Sequence, residues 1–422
     1  MPNIGAIADD LTGATDLANN LVDRGFRTVV EVGLPPGNTV AHQDTADAVV
    51  IALKSRTNPV PEAVRDSLTA LAALRAAGCE RFYFKYCSTF DSTPRGNIGP
   101  VAAALLDALG EEQTIFCPSF PANGRTVYQG HLFVGSQLLS ESSMRHHPLT
   151  PMNDSSVVRV LAAQTTAQVG LITLDVVRAG ADQVRARLDH LRESGTRMVV
   201  VDAIDEADLV NVAAGSSRLR LVTGGSGLAL GLTGPHVDNT AWARALDVVD
   251  GPSVILSGSA SEATRRQVSQ ARAALPSRKL SLPDLRHDFT ASVGELVSWA
   301  RANWSGTPVM IYATDSLADL SPASDTPTAV GEPAAELVER VLSTCAVRLA
   351  EAGARRFVVA GGESSGAVIR ALGLHSLLIG PQITPGVAWC TGQASGETYN
   401  VALKSGNFGD DDFFTAAWKV LQ

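Results

Sequence analysis

Short apolar runs rich in β-branched residues alternate with Ala-, Leu- and Arg-rich stretches of helical period along nearly the whole chain. A hydrophobic period that switches repeatedly between 2 and 3.6 residues belongs to a βαβα chain, which folds as a mostly parallel sheet covered on both faces by helices. Strands are predicted at 4–8, 28–32, 48–52, 81–85 and 114–117, with helices over 11–24 and 62–77. Beyond a polar crossing at 148–156 the rhythm resumes, with strands at 170–174 and 197–202 around a helix at 182–193. It weakens over 232–252, where Gly, Pro, Asp and Asn gather, and returns with strands at 253–256, 309–312 and 356–360. Helices are expected there at 261–275, 292–303 and 334–352, and a surface loop at 315–333. At 422 residues the chain exceeds what a single core usually serves. The expected fold class is α/β, with two domains, 1–235 and 250–422, each a mostly parallel sheet flanked by helices.

Composition narrows the functional classes. The formal charge is −9 and no Lys/Arg cluster stands out, which argues against a nucleic-acid partner. Any anionic ligand must then be met by local groups. No apolar run reaches the roughly 18 residues needed to span a membrane. The N-terminus shows no secretory leader pattern. Cys79, Cys87, Cys117, Cys345 and Cys390 are odd in number and scattered, so a reducing compartment, the cytoplasm, is expected. His146 and His147 are adjacent, a spacing poorly suited to one metal.

In open parallel sheets ligands bind beyond the carboxyl ends of the strands, so polar residues directly after apolar runs are the informative ones. Ile7-Ala8-Asp9-Asp10-Leu11-Thr12-Gly13-Ala14 ends a strand with two carboxylates and opens a helix. A helix cap accounts for one aspartate, which leaves the other for the cleft, with Asp10 favoured for function. Lys85-Tyr86-Cys87-Ser88-Thr89-Phe90-Asp91 sets a lysine, hydroxyls and an acid after another strand, a mixture suited to a hydroxy acid. Arg56 and the stretch Pro121-Ala122-Asn123-Gly124-Arg125 add donors, and an arginine fork matches a carboxylate bidentately.

The C-terminal half carries three glycine turns: Leu256-Ser257-Gly258-Ser259-Ala260-Ser261, Ala360-Gly361-Gly362-Glu363-Ser364, and Lys404-Ser405-Gly406-Asn407. Glycine lets backbone approach a phosphate, and free N–H groups at a helix start attract it. Each turn alone is equally explained by helix packing; three in one domain point to a nucleotide phosphate. A Walker A pattern is absent, and in Gly224-Gly225-Ser226-Gly227-Leu228-Ala229-Leu230 a leucine stands where a dinucleotide fingerprint needs its third glycine.

These segments resemble the four-carbon acid sugar kinase family, from the Ala-Asp-Asp-Leu-Thr-Gly-Ala opening through Asn123-Gly124-Arg125 and Gly361-Gly362-Glu363-Ser364 to the turn at Gly406. Lys85 to Arg95 and Met144 to Met152 look most like the branch that acts on 3-oxo-tetronates, with D-threonate and D-erythronate as alternative substrates. The resemblance implies an N-terminal sugar-acid domain, a C-terminal nucleotide domain, and an active-site cleft between them. It implies that Ser259, Gly361, Gly362, Glu363, Ser364 and Gly406 contact ATP, with Mg²⁺ arriving on the nucleotide. Ser364 departs from the threonine common in the family but keeps the hydroxyl. On the substrate side, Asp10 is expected as the general base, with Asp91 as its substitute. Asp9, Arg56, Lys85, Ser88, Asn123, Gly124 and Arg125 are expected to bind the acid. A homo-oligomer is compatible with the chain, as no sequence feature fixes oligomeric state. A non-catalytic sugar-acid sensor is the rival from a different class, and a nicotinamide-dependent dehydrogenase a weaker one.

Overall fold

The computed structural model describes residues 3–35, 37, 39–40, 45–146, 150–316 and 332–421. The chain divides into two compact units, Met1–Arg244 and Ala245–Gln422.

In the first unit the strands are β1 (Ile4–Ala8), β2 (Thr28–Val32), β3 (Ala48–Ala52), β4 (Arg81–Lys85), β5 (Thr114–Cys117), β6 (Arg125–Tyr128), β7 (His131–Val134), β8 (Gln137–Leu138), β9 (Val169–Ile172), β10 (Met198–Val201) and β11 (Leu221–Gly224). A parallel sheet runs β2-β3-β1-β4-β11-β5-β10-β9. Strands β1, β3, β5 and β10 are buried along their whole length, as a sheet covered on both faces requires. The sequence pattern did not foretell β6-β7-β8, a small antiparallel sheet of its own. It is tied down by Asp202, whose buried carboxylate accepts the N–H groups of Gln129 (2.7 Å) and Gly130 (2.9 Å) at the β6–β7 turn and of Leu174 (3.1 Å). That last bond explains why the strand expected at 170–174 stops at Ile172: Leu174 already starts the helix Leu174–Arg178.

In the second unit β12 (Ser253–Ser257), β13 (Ser277–Lys279), β14 (Val309–Tyr312), β15 (Arg356–Ala360), β16 (Ser376–Thr384), β17 (Val387–Ala394) and β18 (Glu397–Lys404) follow. The run β13-β14-β12-β15-β18 is parallel, and β18-β17-β16 is antiparallel. Trp389, fully buried on β17, donates its indole N–H to the Ala417 carbonyl (2.9 Å) and packs near Phe413 and Phe414. The helix expected at 261–275 ends at Ala271, since Pro276 disfavours helical backbone just before it. Most of the loop expected at 315–333, and His147, lie outside the described residues.

Candidate functional site

In the first unit β3, β1, β4, β11 and β5 are sheet neighbours, so the loops after them leave from one edge. Asp9 and Asp10 follow β1, Arg56 follows β3, Lys85 ends β4, Ser226 follows β11, and Asn123 and Arg125 lie beyond β5.

Arg56 is the hub. Its Nε and Nη2 donate to the two oxygens of Asp9 at 2.8 and 2.9 Å, a bidentate fork. Nη2 also reaches Asp10 Oδ1 at 2.9 Å, and Nη1 stands 3.8 Å from Asp91 Oδ2. The loop that carries Arg56 is fixed by Asn97, whose amide donates to the carbonyls of Ser55 (2.7 Å), Arg56 (3.2 Å) and Asn58 (2.9 Å). Asp91 in turn accepts from the Thr89 hydroxyl (2.5 Å), beside the Cys87 thiol. The guanidinium is thus engaged by three carboxylates.

Asp10 caps the helix Leu11–Asp23, accepting from Gly13 N–H (2.8 Å) and the Thr12 hydroxyl (3.0 Å). Burial pushes its carboxyl up, but Arg56, then Lys85 and the two hydrogen bonds, outweigh it and hold the pKa below the usual carboxylate range. Of the three aspartates on Arg56, Asp10 is the most open: its side chain is 27% exposed, against 8% for Asp9 and 6% for Asp91. A Cβ on Gly13 would stand 2.3 Å from Asp10 Oδ1 and 2.6 Å from Lys85 Nζ, so only glycine leaves room for this pair over the helix start.

Beyond β5, Pro121–Asn123 forms one 3₁₀ turn, closed by Gly124 in the left-handed region (φ 66°). Arg125 donates to the Asn123 carbonyl. Asn123 Nδ2 and Arg125 Nε are buried donors with no hydrogen-bond partner among the described residues. Unmet donors of this kind are costly unless a ligand or water takes them. Ser88 is half-buried in the loop after β4, and Arg95 is exposed.

One residue of this edge escaped the sequence. Asp16 lies in the middle of the helix Leu11–Asp23, only 5% exposed, and accepts from the Ser226 hydroxyl. Thr12, Asp16, Asn19 and Asn20 recur at helical spacing and ordinarily mark a solvated face. All four are buried under the turn that follows β11, and Asn20 donates to the Ser226 carbonyl (2.9 Å). The same turn also packs closely on the loop after β5: a Cβ on Gly227 would lie 2.3 Å from the Ser119 carbonyl oxygen. Burial pushes the Asp16 carboxyl up to about 6, against the pull of Lys85, Ser226 and Arg125, with Asp10 adding to the rise.

A folded-state pKa above the unfolded one means the contribution to stability is complete below about pH 4 and is lost as pH rises through 6. Asp16→Asn removes that loss. Its stability relative to the wild type should improve by about 3 kcal/mol between pH 4 and pH 8 in urea titrations, and a difference independent of pH contradicts the assignment.

In the second unit β12, β15 and β18 are adjacent and parallel, so the three glycine turns stand side by side at their carboxyl ends. They interlock. Gly258 N–H donates to the Ala360 carbonyl and Gly361 N–H to the Lys404 carbonyl, both at 2.9 Å. Gly361, at φ 115°, is the cap of the helix Gly362–Ala371, which exposes Gly362 and Glu363 at its start and buries Ser364 and Ser365. A Cβ on Gly258 would lie 2.1 Å from Ser364 Oγ, and one on Gly406 would lie 2.7 Å from Ser259 Oγ. Ser259, Gly361, Ser364 and Gly406 are therefore brought together, and the cradle closes if any of these glycines gains a side chain.

Lys404 does not reach outward. It is fully buried, and its Nζ donates to the Thr264 hydroxyl (3.0 Å) and the carbonyls of Ser405 (3.0 Å) and Gly406 (3.1 Å), while burial pushes its pKa down to about 7. Ser261 and Thr264 donate to the same Gly406 carbonyl, which fixes the third turn from inside. Among the described residues no group of three or more His, Cys, Asp or Glu is arranged for a metal ion, and no helix is long and apolar enough to cross a membrane.

A model of a sugar-binding N-terminal domain matches residues 4–232, and a model of a nucleotide-binding C-terminal domain matches residues 254–414. The 3-oxo-tetronate kinase of Cupriavidus necator is 50% identical over 100% of this chain and 97% of its own length. That of Burkholderia multivorans is also 50% identical, over 100% and 97%, and that of Salmonella typhimurium 43%, over the full length of both. Among solved structures, a Salmonella typhimurium protein provisionally described as a tRNA synthase superposes with a TM-score of 0.88 at 43% identity, covering 99% of both chains. A Haemophilus influenzae protein does so with a TM-score of 0.79 at 41% identity, covering 99% of this chain and 100% of its own. The two family models define the class, a sugar-binding N-terminal domain followed by a nucleotide-binding C-terminal domain. The chain belongs to the four-carbon acid sugar kinase family.

Proposed function

We propose that this chain is an ATP-dependent kinase that phosphorylates the terminal hydroxyl of 3-oxo-tetronate to give the 4-phosphate. The observation that carries this reading is 50% identity, through both units, to proteins named 3-oxo-tetronate kinase. The geometry supplies a mechanism. Phosphoryl transfer asks of a protein mainly alignment, charge stabilisation and an acceptor for the attacking hydroxyl's proton. Asp10, the most open of the aspartates on Arg56, is the general base in this reading, with Asp91 held in reserve behind the Thr89 hydroxyl. Arg56 keeps Asp9, Asp10 and Asp91 convergent. Lys85, Ser88, Asn123 and Arg125 offer donors to the acid's carboxylate and hydroxyls, and the left-handed Gly124 sets the bend that presents them.

On the nucleotide side the residues fit a phosphate group. The start of the helix Gly362–Ala371 and the Ser259 hydroxyl border a cradle that Gly258, Gly361 and Gly406 leave open. Mg²⁺ belongs with the nucleotide phosphates in this reading and supplies charge neutralisation there. The five free cysteines, four of them buried, suit a protein of the cytoplasm. Sugar acid and ATP are the partners proposed.

A coupled ATP-consumption screen over 3-oxo-tetronate, D-threonate and D-erythronate tests the reading. Turnover is expected on the first at a kcat/KM at least about tenfold above the others, the discrimination one well-placed hydrogen bond supplies. Equal turnover on all three would overturn the substrate, and ATP consumption with none of them would overturn the function.

A further inference from the structure

Lys404, the last residue of β18, has no part in the mechanism above. Its side chain is fully buried, and the three N–H groups of its ammonium are all spent. They go to the Thr264 hydroxyl (3.0 Å) and to the carbonyls of Ser405 (3.0 Å) and Gly406 (3.1 Å), all of them neutral acceptors. No ion pair joins this ammonium to a carboxylate among the described residues. The Phe413 ring, its centroid 5.8 Å from Nζ, compensates the charge in part. A buried cation without an anion is costly, yet the fold sets this one directly behind the turn that carries Gly406.

The same turn is held at several points. The Gly406 carbonyl accepts from Lys404 Nζ, from the Thr264 hydroxyl (2.7 Å) and from the Ser261 hydroxyl. The Ser405 carbonyl accepts the Phe408 N–H (3.3 Å) as well as the ammonium. None of the peptide bonds described is cis, and in a planar trans peptide the N–H points opposite the C=O. With both carbonyls drawn onto the ammonium, the N–H groups of Gly406 and Asn407 are directed away from it. A cation at the carbonyl end of a peptide also polarises it and strengthens its N–H as a donor.

Resting on the proposed function, we propose that Lys404 is a positioning residue for ATP: by pinning the Ser405 and Gly406 carbonyls it presents the N–H groups of Gly406 and Asn407 to a nucleotide phosphate. The phosphate then supplies, across two peptide units, the anion that the buried ammonium lacks. A lysine that met the phosphate directly would have to give up its three bonds. This one keeps them and acts through the turn, with Thr264 and Ser261 fixing the same carbonyl.

The test is steady-state kinetics of the full chain with Mg²⁺, ATP and 3-oxo-tetronate, together with calorimetric titration with ATP alone. Lys404→Met is close in shape but has neither charge nor donor. It should raise Kd and KM for ATP at least about tenfold, the worth of one charge-assisted hydrogen bond. The KM for 3-oxo-tetronate and the kcat at saturating ATP should stay within about threefold of wild type, because the lost interaction is one of ATP binding. Thr264→Val keeps the ammonium and removes one donor from the Gly406 carbonyl, so the two ATP constants should rise about fivefold. That variant decides the matter if Lys404→Met does not fold. ATP constants at wild-type values in the folded variant overturn the inference. So does a parallel rise in the KM of both substrates, which marks general loosening of the protein. If the wild type itself binds no ATP, the proposed function falls; if it binds ATP and the variants match it, this inference alone falls.

Discussion

Replacing Arg56 with methionine is expected to cost about 3 kcal/mol of stability at pH 7.5 and to remove kinase activity altogether. The figure is the lower end of what breaking a buried ion pair costs, because the guanidinium is 23% exposed. The loss arises chiefly from what remains: Asp9 at 8% and Asp91 at 6% side-chain exposure keep their charges with no cation opposite them, and Asp10 loses its largest source of stabilisation. Asp10 escapes the penalty by binding a proton, since the loss of Arg56 lets its folded-state pKa rise in the variant. The deficit relative to wild type should be full at pH 7.5 and shrink towards pH 4. Lysine at position 56 can neutralise charge but cannot reproduce the two-pronged contact with Asp9, so Arg56→Lys should fall between wild type and Arg56→Met. Urea titrations at the two pH values give the answer. A deficit under about 1 kcal/mol at pH 7.5 would mean that the cluster is held by something other than Arg56.

The second large effect is expected from Asp10→Asn. Asparagine caps a helix about as well as aspartate: its amide oxygen keeps the bond from Gly13 N–H, and the Thr12 hydroxyl can turn to accept from its amide nitrogen, so the helix start is preserved. What disappears is the ability to accept a proton. The rate should fall about 10²–10⁴-fold, the usual contribution of general-base catalysis, while the affinity for ATP is unchanged. Retention of more than about a tenth of the wild-type rate removes Asp10 from the base role and transfers the question to Asp91.

Much of this arrangement was legible before any coordinates. The runs at 4–8, 28–32, 48–52, 81–85, 114–117, 309–312 and 356–360 are strands with those bounds, because a strand buried on both faces is written as an uninterrupted apolar stretch. From that followed the polar residues at the strand ends, Asp9, Asp10, Arg56, Lys85, Asn123 and Arg125, and the three glycine turns. Sheet order then made neighbours of strands far apart in sequence, β12 with β15 and β15 with β18, which no local pattern encodes.

The rest was hidden for specific reasons. The antiparallel strands β6 to β8 are short and carry exposed polar positions, so their alternation was weak; they are held by Asp202, some 70 residues away in sequence. Lys404 stands beside a glycine turn, and its ammonium is consumed by the turn it supports. Asp16 lies inside a helix, away from the strand ends where ligand groups are sought. Only the packing of the turn at Ser226 onto that helix buries it, and the sole sequence hint was the unusual run of Thr, Asp and Asn on one helix beside small residues.

The measurement that bears most directly on the central claim is phosphorus NMR of a reaction holding the protein, ATP, Mg²⁺ and 3-oxo-tetronate. ADP and a new phosphomonoester on the terminal carbon should accumulate in equal amounts, with inorganic phosphate at background level. ATP that breaks down to inorganic phosphate, or that persists with the sugar acid untouched, would contradict the account.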